Sequence, residues 1–87
     1  MSSTTSQPIR LHLSYFAKLR EEAGLSEEAV TSSAATPAAL YAELRQRHGF
    51  TLETSHLRVA INDDFAPWDQ ALREGDRLVF IQPVAGG

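Results

Sequence analysis

Eighty-seven residues, 43% of them hydrophobic, make one small domain with too little interior for a deep enclosed pocket. A net charge of −3, with Lys18 as the one lysine, argues against sequence-independent nucleic-acid binding, which needs clustered cations. With no cysteine, the chain has no disulfide, no thiolate nucleophile and no cysteine zinc site, so any sulfur that it handles must be brought in.

Residues 1–8 are polar and lack the charged and apolar regions of a secretion signal, so they read as a disordered leader. No apolar run reaches the length of a membrane span, so no membrane partner is expected and a cytoplasmic location follows by default. Ile9, Leu11, Leu13 and Tyr15 alternate with Arg10, His12, Ser14 and Phe16, the period of a half-buried strand. Phe16 to Gly24 reads as a short helix with Leu19 and Ala23 on one face and Gly24 just past its end. Glu28 to Thr31 is a short strand. Thr36 is a natural N-cap and Pro37 suits the first helical position. Leu40, Tyr41, Leu44 and His48 follow at helical spacing until Gly49.

Leu57, Val59 and Ile61 alternate as a further strand, and Asn62-Asp63-Asp64 is turn chemistry. Phe65-Ala66-Pro67 fits a very short edge strand. Asp69 to Gly75 reads as one loose helical turn, Gly75-Asp76 as a turn, and Arg77 to Gln82 as the last strand. The expected class is α+β: a mixed sheet of about five strands, one main helix across one face, and an extended C-terminal tail. If the first and last strands are neighbours they run parallel, because the long helix lies between them as a crossover. That topology is the ubiquitin-like β-grasp, with a domain over 9–82 and a tail over 83–87.

The tail ends Pro83-Val84-Ala85-Gly86-Gly87. Glycine lacks a Cβ and passes through a slot too narrow for other residues. Pro83 favours an extended exit from the domain. The result is a stalk with an unhindered acyl group at Gly87, shaped for insertion into another protein's active site.

Several of these residues together carry a resemblance. Phe16-Ala17 with Arg20-Glu21 and Gly24, then Val59-Ala60-Ile61-Asn62, then Gly75-Asp76, then Phe80 through the Pro-Val-x-Gly-Gly ending, resemble the small subunit of molybdopterin synthase over roughly residues 9 to 87. Gln82 stands where that family usually has a second proline. The resemblance implies a sulfur carrier in molybdenum cofactor biosynthesis. A ubiquitin-activating-type adenylyltransferase, using ATP, would convert the Gly87 carboxylate to an acyl-adenylate. A persulfide-derived sulfur would then leave a thiocarboxylate, and the large synthase subunit would receive the tail for delivery to cyclic pyranopterin monophosphate. This chain itself would bind no cofactor and no metal. It would act as a tethered co-substrate, with catalytic groups on its partners.

Strand alternation points to the docking surface. Leu78 and Phe80 share one face of the last strand, Val79 and Ile81 the other. An apolar patch of Phe16, Ile81 and Val84 near the tail root would meet the large subunit, with Phe65 as a further anchor, Arg20 as a rim charge, and Pro83, Val84 and Ala85 as the entering stalk. Trp68 is expected to cap the core. His12, His48 and His56 show no metal-site spacing, and Glu21-Glu22 and Glu27-Glu28 read as solvated pairs. Three rivals remain on sequence alone: a thiamin-type sulfur carrier, a ubiquitin-related protein modifier, and an interaction module with an inert tail.

Overall fold

A computed structural model describes residues 8–83; the leader up to Gln7 and the last four residues, Val84, Ala85, Gly86 and Gly87, lie outside the described part. In chain order the elements are β1 (Ile9–Ser14), α1 (Ala17–Ala23), β2 (Glu27–Ser32), α2 (Pro37–His48), a 3-10 turn (Thr54–His56), β3 (Arg58–Ile61), β4 (Asp64–Ala66) and β5 (Arg77–Ile81). The five strands form one sheet in the order β2-β1-β5-β3-β4. β1 and β5 run parallel, with Leu13 beside Leu78, and the other neighbours are antiparallel. This is the β-grasp topology expected from the sequence, and the crossover between β1 and β5 contains α2.

α2 forms where its signals stand. The Thr36 side chain accepts a hydrogen bond from the Ala39 amide at 3.2 Å, and Pro37 occupies the first turn, where no backbone partner is lost. Gly49 ends the helix at φ 73°, a conformation that costs glycine nothing and any Cβ-bearing residue something. Leu40, Tyr41 and Leu44 face inward and meet Leu11, Leu13, Val59, Leu78 and Phe80 from the sheet. An aromatic cluster closes this core. The ring of Tyr41 lies 5.2 Å from that of Phe80, and Trp68 stacks on Phe80 at 5.9 Å. Trp68 therefore covers the core, as expected. The Tyr41 hydroxyl donates to the Leu52 carbonyl at 2.6 Å, so its polar end is satisfied at the rim.

The β3–β4 hairpin turns through Asn62 and Asp63, both at positive φ (53° and 75°). Two left-handed central residues match the twist of the flanking strands, and Asn and Asp tolerate them best after glycine. Asp64, expected in the turn, instead pairs with Ile61 as the first residue of β4. Asn62 also ties the hairpin to the loop before β5. Its Nδ2 donates to Asp76 Oδ1 at 3.0 Å, and its Oδ1 accepts from the Arg77 amide at 3.0 Å. Asp76 Oδ2 in turn accepts from the Arg73 amide at 2.8 Å. The Gly75-Asp76 turn is thereby fixed against β1, where the Gly75 amide donates to the Arg10 carbonyl at 2.7 Å.

Four expectations need correction. Asp69 to Gly75 is not a helical turn but irregular chain between two tight turns. The segment is held from outside: the Leu72 amide donates to the Ala35 carbonyl at 3.0 Å, and the Ala38 amide to the Trp68 carbonyl at 3.1 Å. Tertiary hydrogen bonds replace the local ones that a helix would make. β2 is longer than read, because its register with β1 runs unbroken from Glu27 to Ser32.

Glu28 is not a solvated charge. Its carboxylate accepts from the Tyr15 hydroxyl at 2.8 Å, lies 2.8 Å from His48 Nε2, and pairs with Arg47 at 3.3 Å. Glu22 is not a free carboxylate either, since it accepts from the Thr51 amide and hydroxyl at 3.1 and 2.7 Å. Single-sequence spacing could not join residues thirteen or more positions apart.

The Glu28 cluster has a consequence for stability. Burial pushes the Glu28 carboxyl upward, but hydrogen bonds from His48 and Tyr15 and the nearby charges outweigh it and hold it below the ordinary value of 4.5. A depressed carboxyl stabilises the fold above its unfolded value and loses that contribution as pH falls through its folded one. Glu28→Gln should therefore cost about 1–2 kcal/mol near neutral pH. The gap between variant and wild type should close below about pH 4.5, measured as melting temperature against pH.

Candidate functional site: the root of the C-terminal tail

β5 is the central strand, with β1 on one side and β3 on the other. The chain therefore leaves the sheet from a strand paired on both sides, through Gln82 and Pro83, both exposed. At that exit Phe16, Leu52, Ile81 and Pro83 line one cleft, with Phe80 and Leu19 at its floor. Three residues named from sequence, Phe16, Ile81 and Pro83, are thus brought together. Val84 and Ala85, expected beside them, and the reactive Gly86 and Gly87 lie outside the described residues.

Phe16 is 58% exposed although aromatic. Its own backbone is extended, and the next residue, Ala17, takes φ 50°. That left-handed turn costs a residue with a Cβ about 1 kcal/mol. Phe16 continues the alternation of β1 and lies outside the core, while Tyr15, one residue earlier, is fully buried. A large apolar ring left in water is a feature of binding sites.

The sheet face away from α2 continues the patch. Cross-strand partners share a face, so Ile81 stands beside Arg58, and Ala60 stands between Val79 and Phe65. Phe65 is 63% exposed, and the Arg58 guanidinium carbon sits 4.8 Å from the centre of its ring. Leu78 and Phe80 point the other way, into the core, as alternation required. Arg20 is exposed on α1 but does not line the cleft. Sequence reasoning missed Arg58 and Leu52. Arg58 could have been found from its place in the alternation of β3, whereas Leu52 lies in irregular chain that no period marks.

His12 lies on the open sheet face, His48 is bonded to Glu28, and His56 is in the 3-10 turn. Among the described residues no three His, Asp or Glu side chains converge as metal ligands would. Nor does any described helix have the length and apolar character to cross a membrane. The cleft offers a shape and an apolar surface, lined by Phe16, Leu52, Ile81 and Pro83.

The ThiS family model matches residues 13–87. The chain belongs to the ThiS family. A curated relative, the molybdopterin synthase sulfur carrier subunit of Haemophilus influenzae, is 34% identical over 80 residues, covering 88% of this chain and 99% of the relative. The small archaeal modifier protein 1 of Haloferax volcanii has a solved structure with TM-score 0.74 and 26% identity, covering 87% of this chain and 99% of that one. A complex of subunits 1 and 2 of the molybdopterin-converting factor from Helicobacter pylori contains a chain of the same fold. It matches with TM-score 0.64 and 20% identity, over 91% of this chain and all of that one, a likeness of fold alone. The resemblance to molybdopterin synthase small subunits, read from the Phe16-Ala17 and Gly75-Asp76 landmarks, is borne out by these relatives.

Proposed function

We propose that this chain is the sulfur carrier subunit of molybdopterin synthase. The observation that carries the reading is a diglycine ending, four residues in sequence beyond an apolar cleft on the central strand, in a chain 34% identical to such a carrier. A carboxylate is a poor electrophile at neutral pH. Transfer of an adenylyl group from ATP by a ubiquitin-activating-type enzyme gives the Gly87 carbonyl a good leaving group. The outer sulfur of a persulfide then displaces AMP to give an acyl disulfide, and a thiol on the donor side cleaves its S–S bond, forming a new disulfide and leaving the thiocarboxylate on Gly87. Attack of that sulfur on a carbon of cyclic pyranopterin monophosphate expels an oxygen substituent, and hydrolysis of the resulting S-acyl bond leaves sulfur on the pterin and returns the free carboxylate.

The described residues contribute positioning. Extended chain advances at most about 3.5 Å per residue, so the four residues after Pro83 carry the carboxyl group no further than about 14 Å from the cleft. The large synthase subunit must therefore bind the Phe16–Ile81 patch with its active site within that radius. Phe65 over Arg58 forms a second contact on the open face, Arg20 a rim charge, and Pro83, Val84 and Ala85 the stalk. Cytoplasmic placement goes with the need for ATP.

The test is mass spectrometry of the chain after incubation with the activating enzyme, ATP and a sulfur donor. The expected result is exchange of one oxygen for sulfur, located on Gly87. The likeness in fold to an archaeal modifier makes isopeptide attachment to lysines the competing outcome of the same experiment, read as a stable amide-linked conjugate.

A further inference from the structure

The two edges of the sheet are unlike. β4, at one edge, is three residues long and runs into Pro67, a combination that discourages pairing with another chain. β2, at the other, spans six residues with no proline, no lysine and no break in its register with β1. The Tyr15 amide donates to the Ser26 carbonyl at 2.9 Å, which sets the alternation of the whole pair. With Leu13 opposite Glu28 and Leu11 opposite Val30, the even-numbered residues of β2 turn their backbone groups toward β1. Glu27, Ala29 and Thr31 turn theirs outward. Among the described residues no strand pairs with that outer edge, and all three of these residues are exposed.

We propose that this edge is a self-association surface, occupied by β2 of a second copy running antiparallel about a two-fold axis at Ala29. In that register Ala29 faces Ala29, Glu27 faces Thr31, and Glu28 faces Val30. No carboxylate stands directly opposite another, and each outward residue exchanges both backbone hydrogen bonds with its partner. Sliding the register by one pairing step in one direction sets Glu28 against Glu28. Sliding it the other way leaves Glu27 without a strand partner. The sequence thus selects one self-complementary pairing.

The two sheets join into one, and their open faces become continuous. β5 lies two strands in from the edge, about 10 Å, so the cleft of Phe16, Ile81 and Pro83 stays free in both copies. Because backbone groups leave water to form these bonds, association is weak and depends on concentration.

The experiment is amide hydrogen exchange and chemical-shift mapping by NMR on the full chain, across a dilution series. As concentration rises, the amides of Glu27, Ala29 and Thr31 should shift and become protected. Those of Glu28 and Val30, already bonded to β1, should not change. Thr31→Glu places a carboxylate opposite Glu27 at both symmetric pairs and should weaken association roughly tenfold, whereas Thr31→Lys should strengthen it. Thr31 is exposed, and unchanged thermal melts would show that both variants fold. The proposal is overturned by a monomer at millimolar concentration, by equal association of the two variants, or by shifts centred on Phe16 and Ile81. Protection that dilution does not alter would also overturn it, since the chain would then cover its own edge.

Discussion

Deleting Gly86 and Gly87 should leave the melting temperature unchanged and abolish sulfur delivery. The sheet, the core and the hydrogen bonds of the described residues all lie at or before Pro83, and the deletion removes none of them. The chemistry, by contrast, loses its placement. Two residues shorten the reach of the tail by up to about 7 Å, while a displacement near 1 Å already costs an enzyme about a hundredfold. Delivery should fall by more than that factor even if the new terminal carboxylate were activated. Ala85, the residue left at the end, also carries a Cβ into a channel suited to glycine. Calorimetry and a transfer assay on the same preparation separate the two effects.

The second large effect distinguishes two neighbours on β5. Phe80 is 1% exposed and packs against Tyr41 and Trp68. Phe80→Ala should cost about 3–5 kcal/mol, through lost burial and the cavity left behind. A domain of this size has about 5–10 kcal/mol in total, so the variant should lose about a third or more of its stability and melt well below the wild type. Ile81 stands on the opposite face, half-exposed beside Arg58 and Phe16. Ile81→Asp should change stability by under about 1 kcal/mol, yet weaken binding of the large subunit at least tenfold, because a charge in the desolvated centre of an interface lacks a partner. Denaturant melts and a titration with the large subunit read the two numbers. An unfolded Ile81→Asp variant would move Ile81 into the core and remove the cleft from the account.

Much of this contrast was legible in the sequence because period two is a strong signal. Alternation in β1 and β5 placed Leu11, Leu13, Leu78 and Phe80 inside and Phe16 and Ile81 outside. Local chemistry at Thr36-Pro37, Gly24, Gly49 and Gly75-Asp76 placed helix ends and turns with little error. What stayed hidden is non-local. Glu28 looked like half of a solvated acidic pair until β1, β2 and α2 brought Tyr15, His48 and Arg47 around it. The stretch Asp69 to Gly75 carries residues that favour a helical turn, but its amides are committed to Asp76 and Ala35, which no local rule could anticipate. The strained Ala17 was equally invisible, since alanine in a Phe-Ala-Lys-Leu run gives no sign of positive φ.

The site divides along the same line. The diglycine end and the apolar strand before it are sequence features, and the likeness to molybdopterin synthase carriers rests on them. The cleft is a structural feature, because it needs Phe16 from the start of α1, Leu52 from irregular chain and Ile81 from β5 in one place. Only the fold explains why a stalk at this position would be held steadily enough to present its last atom.

A single-turnover transfer experiment tests that presentation most directly. The chain is prepared with labelled sulfur on Gly87 and mixed with the large synthase subunit and cyclic pyranopterin monophosphate, without ATP. The label should move to the pterin while the chain returns to a free carboxylate. Label retained on the chain, or released as sulfide with the pterin unchanged, would contradict the assignment.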